Sequence, residues 1–105
     1  LSKEVIRRVI QRHINEVRFC YEQQLNQRPD LQGRIVVNFI IAPTGAVQGA
    51  ALNTSDMGSP PVENCVVDAV KRWSFPAPEG GGIVVVNYPF VLQATGGDDG
   101  GGDGG

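Results

Sequence analysis

The residues with the most chemical potential in this chain are its two cysteines, Cys20 and Cys65, and its single histidine, His13. His13 precedes Cys20 by seven residues. On one straight helix that spacing gives nearly the same face but a separation of roughly 10.5 Å along the axis. A cysteine–histidine nucleophile pair needs contact near ~3 Å, so the spacing forbids one. Neither a CxxC nor an HxxxH spacing occurs, which makes a zinc site a poor fit. His13 therefore reads as a surface or boundary histidine. Glu63 and Asp68 fall on the solvated face of a helical segment, and no carboxylate pair is placed for acid–base work. Gly80, Gly81 and Gly82 precede a strand rather than a helix, and no GK[ST] follows them, so they read as a flexible connector and not as a phosphate loop. The expectation is a non-enzymatic domain with no cofactor and no metal.

The cysteines leave two readings. Each lies on the apolar stripe of a helical segment, and two helices packed on one sheet face would bring those stripes together. One reading is a pair of buried thiols acting as small hydrophobes. The preferred reading is a disulfide between the helices, worth roughly 4 kcal/mol on the chain-entropy model and implying an oxidising compartment. Two titratable thiols in the unreduced protein would exclude it.

The elements that would position these residues are legible from periodicity. Val5, Ile6, Val9, Ile10, Ile14, Val17, Cys20, Tyr21 and Leu25 recur at three- and four-residue spacings, predicting one helix over 2–28, capped by Ser2 and stopped by Pro29. Arg7, Arg8, Arg12 and Arg18 fall largely on its opposite face, which reads as solvated, with a docking surface as the alternative. Residues 34–42 alternate as a strand, with Ile35, Val37, Phe39 and Ile41 on one face and Arg34, Val36, Asn38 and Ile40 on the other. Pro43-Thr44-Gly45 signals a turn. A weaker strand over 47–55 follows, with Gly49, Ala50 and Ala51 offering little to pack. Ser59-Pro60 opens a short second helix whose stripe is Val62, Cys65, Val66, Ala69, Val70 and Trp73. Trp73 reads as a core plug, and Phe75 to Pro78 fixes where the last strand, Ile83 to Leu92, begins.

The order α-β-β-α-β predicts an α+β domain: a three-stranded antiparallel sheet in the order 2-1-3, with two helices on one face. That domain spans residues 1–95. Residues 96–105, GGDDGGGDGG, hold seven glycines and three aspartates, and are expected to be a disordered tail. The tail accounts for the chain's formal charge of −2, leaving +1 on the first 95 residues, which argues against nucleic acid as a partner. No apolar run approaches the roughly 20 residues of a membrane span. The chain opens inside a helical pattern at Leu1, from which an excised domain of a longer protein is expected.

The last strand carries the most apolar run, Ile83-Val84-Val85-Val86, yet contains Pro89, which suits an edge. Val84, Val86, Tyr88, Phe90 and Leu92 should meet the helices. Ile83, Val85, Asn87, Pro89 and Val91 should face away. An apolar outer face beside an open edge invites a strand from another chain.

The order of elements, the turn Pro43-Thr44-Gly45 and the segment Val70-Lys71-Arg72-Trp73-Ser74-Phe75-Pro76-Ala77-Pro78 resemble the TonB C-terminal domain. Cys20-Tyr21-Glu22, Leu31-Gln32-Gly33-Arg34, Cys65 and the stretch from Arg72-Trp73 through Glu79-Gly80-Gly81 resemble more closely the AgmX/PglI-type C-terminal domain of gliding-motility proteins. The resemblance covers about residues 5–92. It implies a periplasmic domain, tethered to the inner membrane by a segment outside this sequence and driven by a proton-powered motor. Its partner would be a short segment of a periplasmic or outer-membrane protein, paired with the last strand. The positions that match are Ile83, Val84, Val85, Val86, Asn87, Tyr88, Phe90 and Val91. Pro89 removes one donor and limits the pairing to one register or to residues 83–88. The alternative function is self-association, a homodimer made through the last strand or the apolar outer face.

Overall fold

The structure, a computed structural model, describes residues 1–94, so the expected tail at 96–105 lies outside the described residues. Its elements are α1 (Lys3–Arg12), α2 (Ile14–Leu25), β1 (Gly33–Ile41), β2 (Val47–Ser55), α3 (Pro60–Lys71) and β3 (Val84–Leu92). The strands form one antiparallel sheet in the order β2-β1-β3, as the residue pattern predicts.

Ser2 caps α1 by accepting the Val5 amide at 3.2 Å. The single helix expected over 2–28 is instead divided at His13 and ends at Leu25. His13 sits at φ −106°, ψ 7°, outside helical values, and its amide turns back to the Ile10 carbonyl at 2.9 Å. No proline causes the break. The side chains at the break are held by a residue distant in sequence. The His13 ring stacks on Trp73 with centroids 5.0 Å apart. Trp73 Nε1 donates to Glu16 Oε1 at 3.1 Å, while His13 Nδ1 lies 3.0 Å from Glu16 Oε2. The buried stripe runs from Ile10 to Val17, two turns of an unbroken helix, so periodicity conceals the break.

Glu16 has a titration consequence. Its partial burial opposes ionisation, but hydrogen bonds from His13 and Trp73, together with the charges of His13 and Arg72, outweigh that and hold its carboxyl below the usual range. A carboxylate whose pKa is depressed on folding stabilises the fold above its unfolded pKa and loses that contribution as pH falls through the folded value. The stability advantage of the wild type over Glu16→Gln is therefore expected to be constant near neutrality and to shrink on acidification. Urea unfolding of both proteins between neutral pH and the acid range checks this; an advantage unchanged in acid would contradict it.

Alternation sorts β1 as expected: Ile35, Val37, Phe39 and Ile41 are fully buried beneath the helices. They share one core with Ile10, Val17, Val62, Val66, Val70, Trp73 and Phe90. α3 begins at the Ser59 cap with Pro60 in its first turn. Glu63, expected on a solvated face, is half-buried and accepts a hydrogen bond from Ser55 Oγ at 2.6 Å, because α3 packs directly over β2. Cys20 and Cys65 form a disulfide, with Cα atoms 5.6 Å apart, that fastens α2 to α3.

The β1–β2 turn is locked to the chain after α3. Gly45 has φ +96°, and its carbonyl accepts the Phe75 amide at 2.8 Å. A Cβ on Gly45 would lie 2.0 Å from the Phe75 carbonyl oxygen. Gly45→Ala therefore combines a left-handed backbone with a backbone clash. It is expected to cost about 2–3 kcal/mol. Chemical denaturation would reveal the loss.

Candidate partner-binding edge

β1 and β3 pair without interruption from Gly33↔Leu92 to Ile41↔Val84. The β1–β2 pairing shifts register twice, skipping Asn53 and Gln48 on β2. Each such bulge twists an edge away from straight pairing, a common protection against unwanted strands. The two rims of the sheet thus differ: β2 offers a kinked edge of small and polar residues, and β3 a straight one rich in valine.

The direction of each backbone group on β3 follows from the register. Arg34 turns both its groups toward the β2 side: its amide donates to Asp56 Oδ1 at 2.7 Å and its carbonyl accepts the Asp56 amide at 3.1 Å. Successive residues of a strand point these groups to opposite sides, so Ile35, Val37, Phe39 and Ile41 turn theirs to β3. Their partners Phe90, Tyr88, Val86 and Val84 complete that ladder. Val85, Asn87, Pro89 and Val91 then direct their backbone groups to the open rim. Pro89 lies opposite Val36, so the donor it lacks is one of the rim donors and none is missing from the β1 ladder.

Side chains follow the same parity. Ile83, just before β3, and Val85 are 54% and 58% exposed, and Val91 is also exposed. Asn87 is exposed as well. Phe90 is fully buried and Tyr88 nearly so. Val84 and Val86 are only half-buried, because beside them opens a groove of about 350 Å³. Its walls are Val84, Val86 and Tyr88 on the strand and Leu1, Lys3, Ile6 and Arg7 at the start of α1. The sequence reading assigned these α1 residues no part in the site. Their only signal was that Leu1 and Ile6 are apolar, which serves core packing equally well.

On the helix-free face, three asparagines meet. Asn38 Nδ2 donates to Asn87 Oδ1 at 3.1 Å, and Asn53 Nδ2 donates to the same oxygen at 2.9 Å. Val36 and Ile40 on that face are half-buried. Among the described residues no group of three or more His, Cys, Asp or Glu could hold a metal ion. Nor is any helix long and apolar enough to cross a membrane.

This architecture has solved counterparts. An NMR solution structure of the Helicobacter pylori TonB-CTD superimposes with a TM-score of 0.68 and 22% identity, covering 94% of this chain and 87% of that one. The fold is that of the TonB C-terminal domain. A second structure of the H. pylori TonB-CTD gives a TM-score of 0.63 and 19% identity over 86% of this chain and 97% of the other. No protein-family model and no curated protein sequence matches the chain. The TonB-type arrangement is therefore kept at low identity, and what this chain shares with those structures is the layout of helices over a three-stranded sheet.

Proposed function

We propose that this chain is a non-enzymatic partner-binding domain of a TonB-like force- or energy-transducing protein. It accepts a short segment of another protein as a fourth strand along β3. The observation that carries this reading is the straight open rim, where the backbone groups of Val85 and Asn87 face solvent beside an apolar groove. An added strand would satisfy those groups and set alternate side chains into the groove and onto the outer face. Ile83, Val84, Val85, Val86, Asn87, Tyr88, Phe90 and Val91 line the contact, with Phe90 acting through the core beneath it.

The TonB-type fold and the Cys20–Cys65 disulfide support placing the domain in the periplasm, where disulfides persist. A partner segment from a periplasmic or outer-membrane protein fits that setting. Cys20-Tyr21-Glu22, Cys65 and the segment after Arg72 support assignment to a gliding-motility machine, of the AgmX/PglI type, anchored in the inner membrane through a segment outside this sequence.

A second reading, homodimerisation, is favoured by one feature: Val85 and Ile83 are more than half exposed beside the rim. Sedimentation of the 105-residue chain separates the two. A monomer across the micromolar range that shows amide shifts along 83–88 with a partner peptide supports the first. A tight dimer without any partner, lost in Val85→Pro, supports the second.

A further inference from the structure

We infer that Asn87 sets the register of the added strand by hydrogen-bonding a side-chain acceptor on it; this rests on the strand-addition reading of β3. Asn87 occupies the middle of β3, paired with Asn38 in the middle of β1. Its Oδ1 is engaged twice from within the sheet, by Asn38 and by Asn53, whose bulged position lets its amide reach across β1. A primary amide has an acceptor arm and a donor arm. With the acceptor arm engaged by Asn38 and Asn53, the planar amide leaves its Nδ2 donor arm turned away from them, on a residue whose backbone groups face the open rim. Every other outward side chain of β3 is apolar: Val85, Pro89 and Val91. A strand laid against such a row can slip by two residues with little penalty, because period-two patterns overlay themselves. One polar position breaks that degeneracy. The ligand that fits is an alternating strand with an acceptor side chain (Asn, Gln, Ser, Thr or Asp) beside Asn87 and apolar residues two places to either side. A partner whose residue there is apolar leaves the Asn87 donor without its hydrogen bond, and one with lysine there sets donor against donor.

The test uses a displayed heptapeptide library selected against the oxidised 105-residue chain, its Asn87→Val variant and its Asn87→Asp variant. Both replacements are on the exposed face, and Asn87→Asp keeps the oxygen that Asn38 and Asn53 use. Wild type is expected to enrich acceptor residues about fivefold at one position, the effect of a single hydrogen bond. Asn87→Val should shift that position to valine or isoleucine, and Asn87→Asp to lysine, arginine or glutamine. Peptides that lose binding in Val85→Pro but show the same preferences with all three baits would overturn the register assignment alone. Peptides indifferent to Val85→Pro would overturn strand addition, and the assignment with it.

Discussion

Breaking the Cys20–Cys65 bond is expected to lower the unfolding free energy by about 4 kcal/mol, the chain-entropy value for a bridge between residues 45 apart in sequence. A small domain has a total margin of about 5–15 kcal/mol, so the effect is a large share of its stability. The bridge fastens the helix that follows the His13 break to the helix that covers β2. Other ties between those two helices and the residues that flank them include the shared core that holds Val17 and Val66, the Trp73–Glu16 hydrogen bond, the Arg72–Glu16 ion pair and the His13–Trp73 stack. Reduced wild type and the double variant Cys20→Ala/Cys65→Ala should both unfold at much lower urea concentration than the oxidised protein. The reduced wild type isolates the cross-link itself, because Cys20 is buried and its truncation adds a small cavity term. Oxidised and reduced proteins with the same midpoint would show that the bridge contributes nothing.

The second large effect is a contrast between neighbours. Val86→Pro removes a donor from the β1 ladder opposite Phe39, inside the paired half of the strand. It should cost about 3 kcal/mol or more and leave much of the protein unfolded. Val85→Pro, one residue earlier, removes a donor only from the rim. It should leave stability within about 1 kcal/mol of wild type while weakening partner binding about tenfold, the value of one backbone hydrogen bond plus the obstruction by the ring. Circular dichroism melts and peptide titration of the two variants give the four numbers. Equal destabilisation by both prolines would mean that β3 is paired on both sides.

Much of this contrast could be read before any coordinates. The parity of β3 follows from Tyr88, Phe90 and Leu92 alternating with Asn87, Pro89 and Val91, which puts Val84 and Val86 on the core side, and Pro89 alone marks the strand as an edge. The two cysteine stripes predicted the bridge because both helices had to cover the same sheet face. The features that stayed hidden join residues far apart in the chain. The break at His13 is accompanied by a stack on Trp73, and the apolar period from Ile10 to Val17 runs through it undisturbed. The asparagine cluster depends on a bulge at Asn53 that no local pattern announces, and which carries that side chain over β1. The groove beside β3 needs Leu1, Lys3, Ile6 and Arg7 to stand beside Val84 and Val86, more than 70 residues on in the chain. Glu63 looked solvated because helical periodicity could not show that β2 would pass beneath it.

The most direct measurement of the central claim is residue-resolved hydrogen exchange on the isolated, monomeric chain. The amides of Val84, Val86, Tyr88 and Phe90 should exchange slowly, held by β1. Those of Val85, Asn87 and Val91 should exchange rapidly, and those of Val85 and Asn87 should become protected when a selected peptide is added. Slow exchange at Val85 and Asn87 in the free monomer, or no gain of protection there on peptide binding, would contradict an open rim that receives a partner strand.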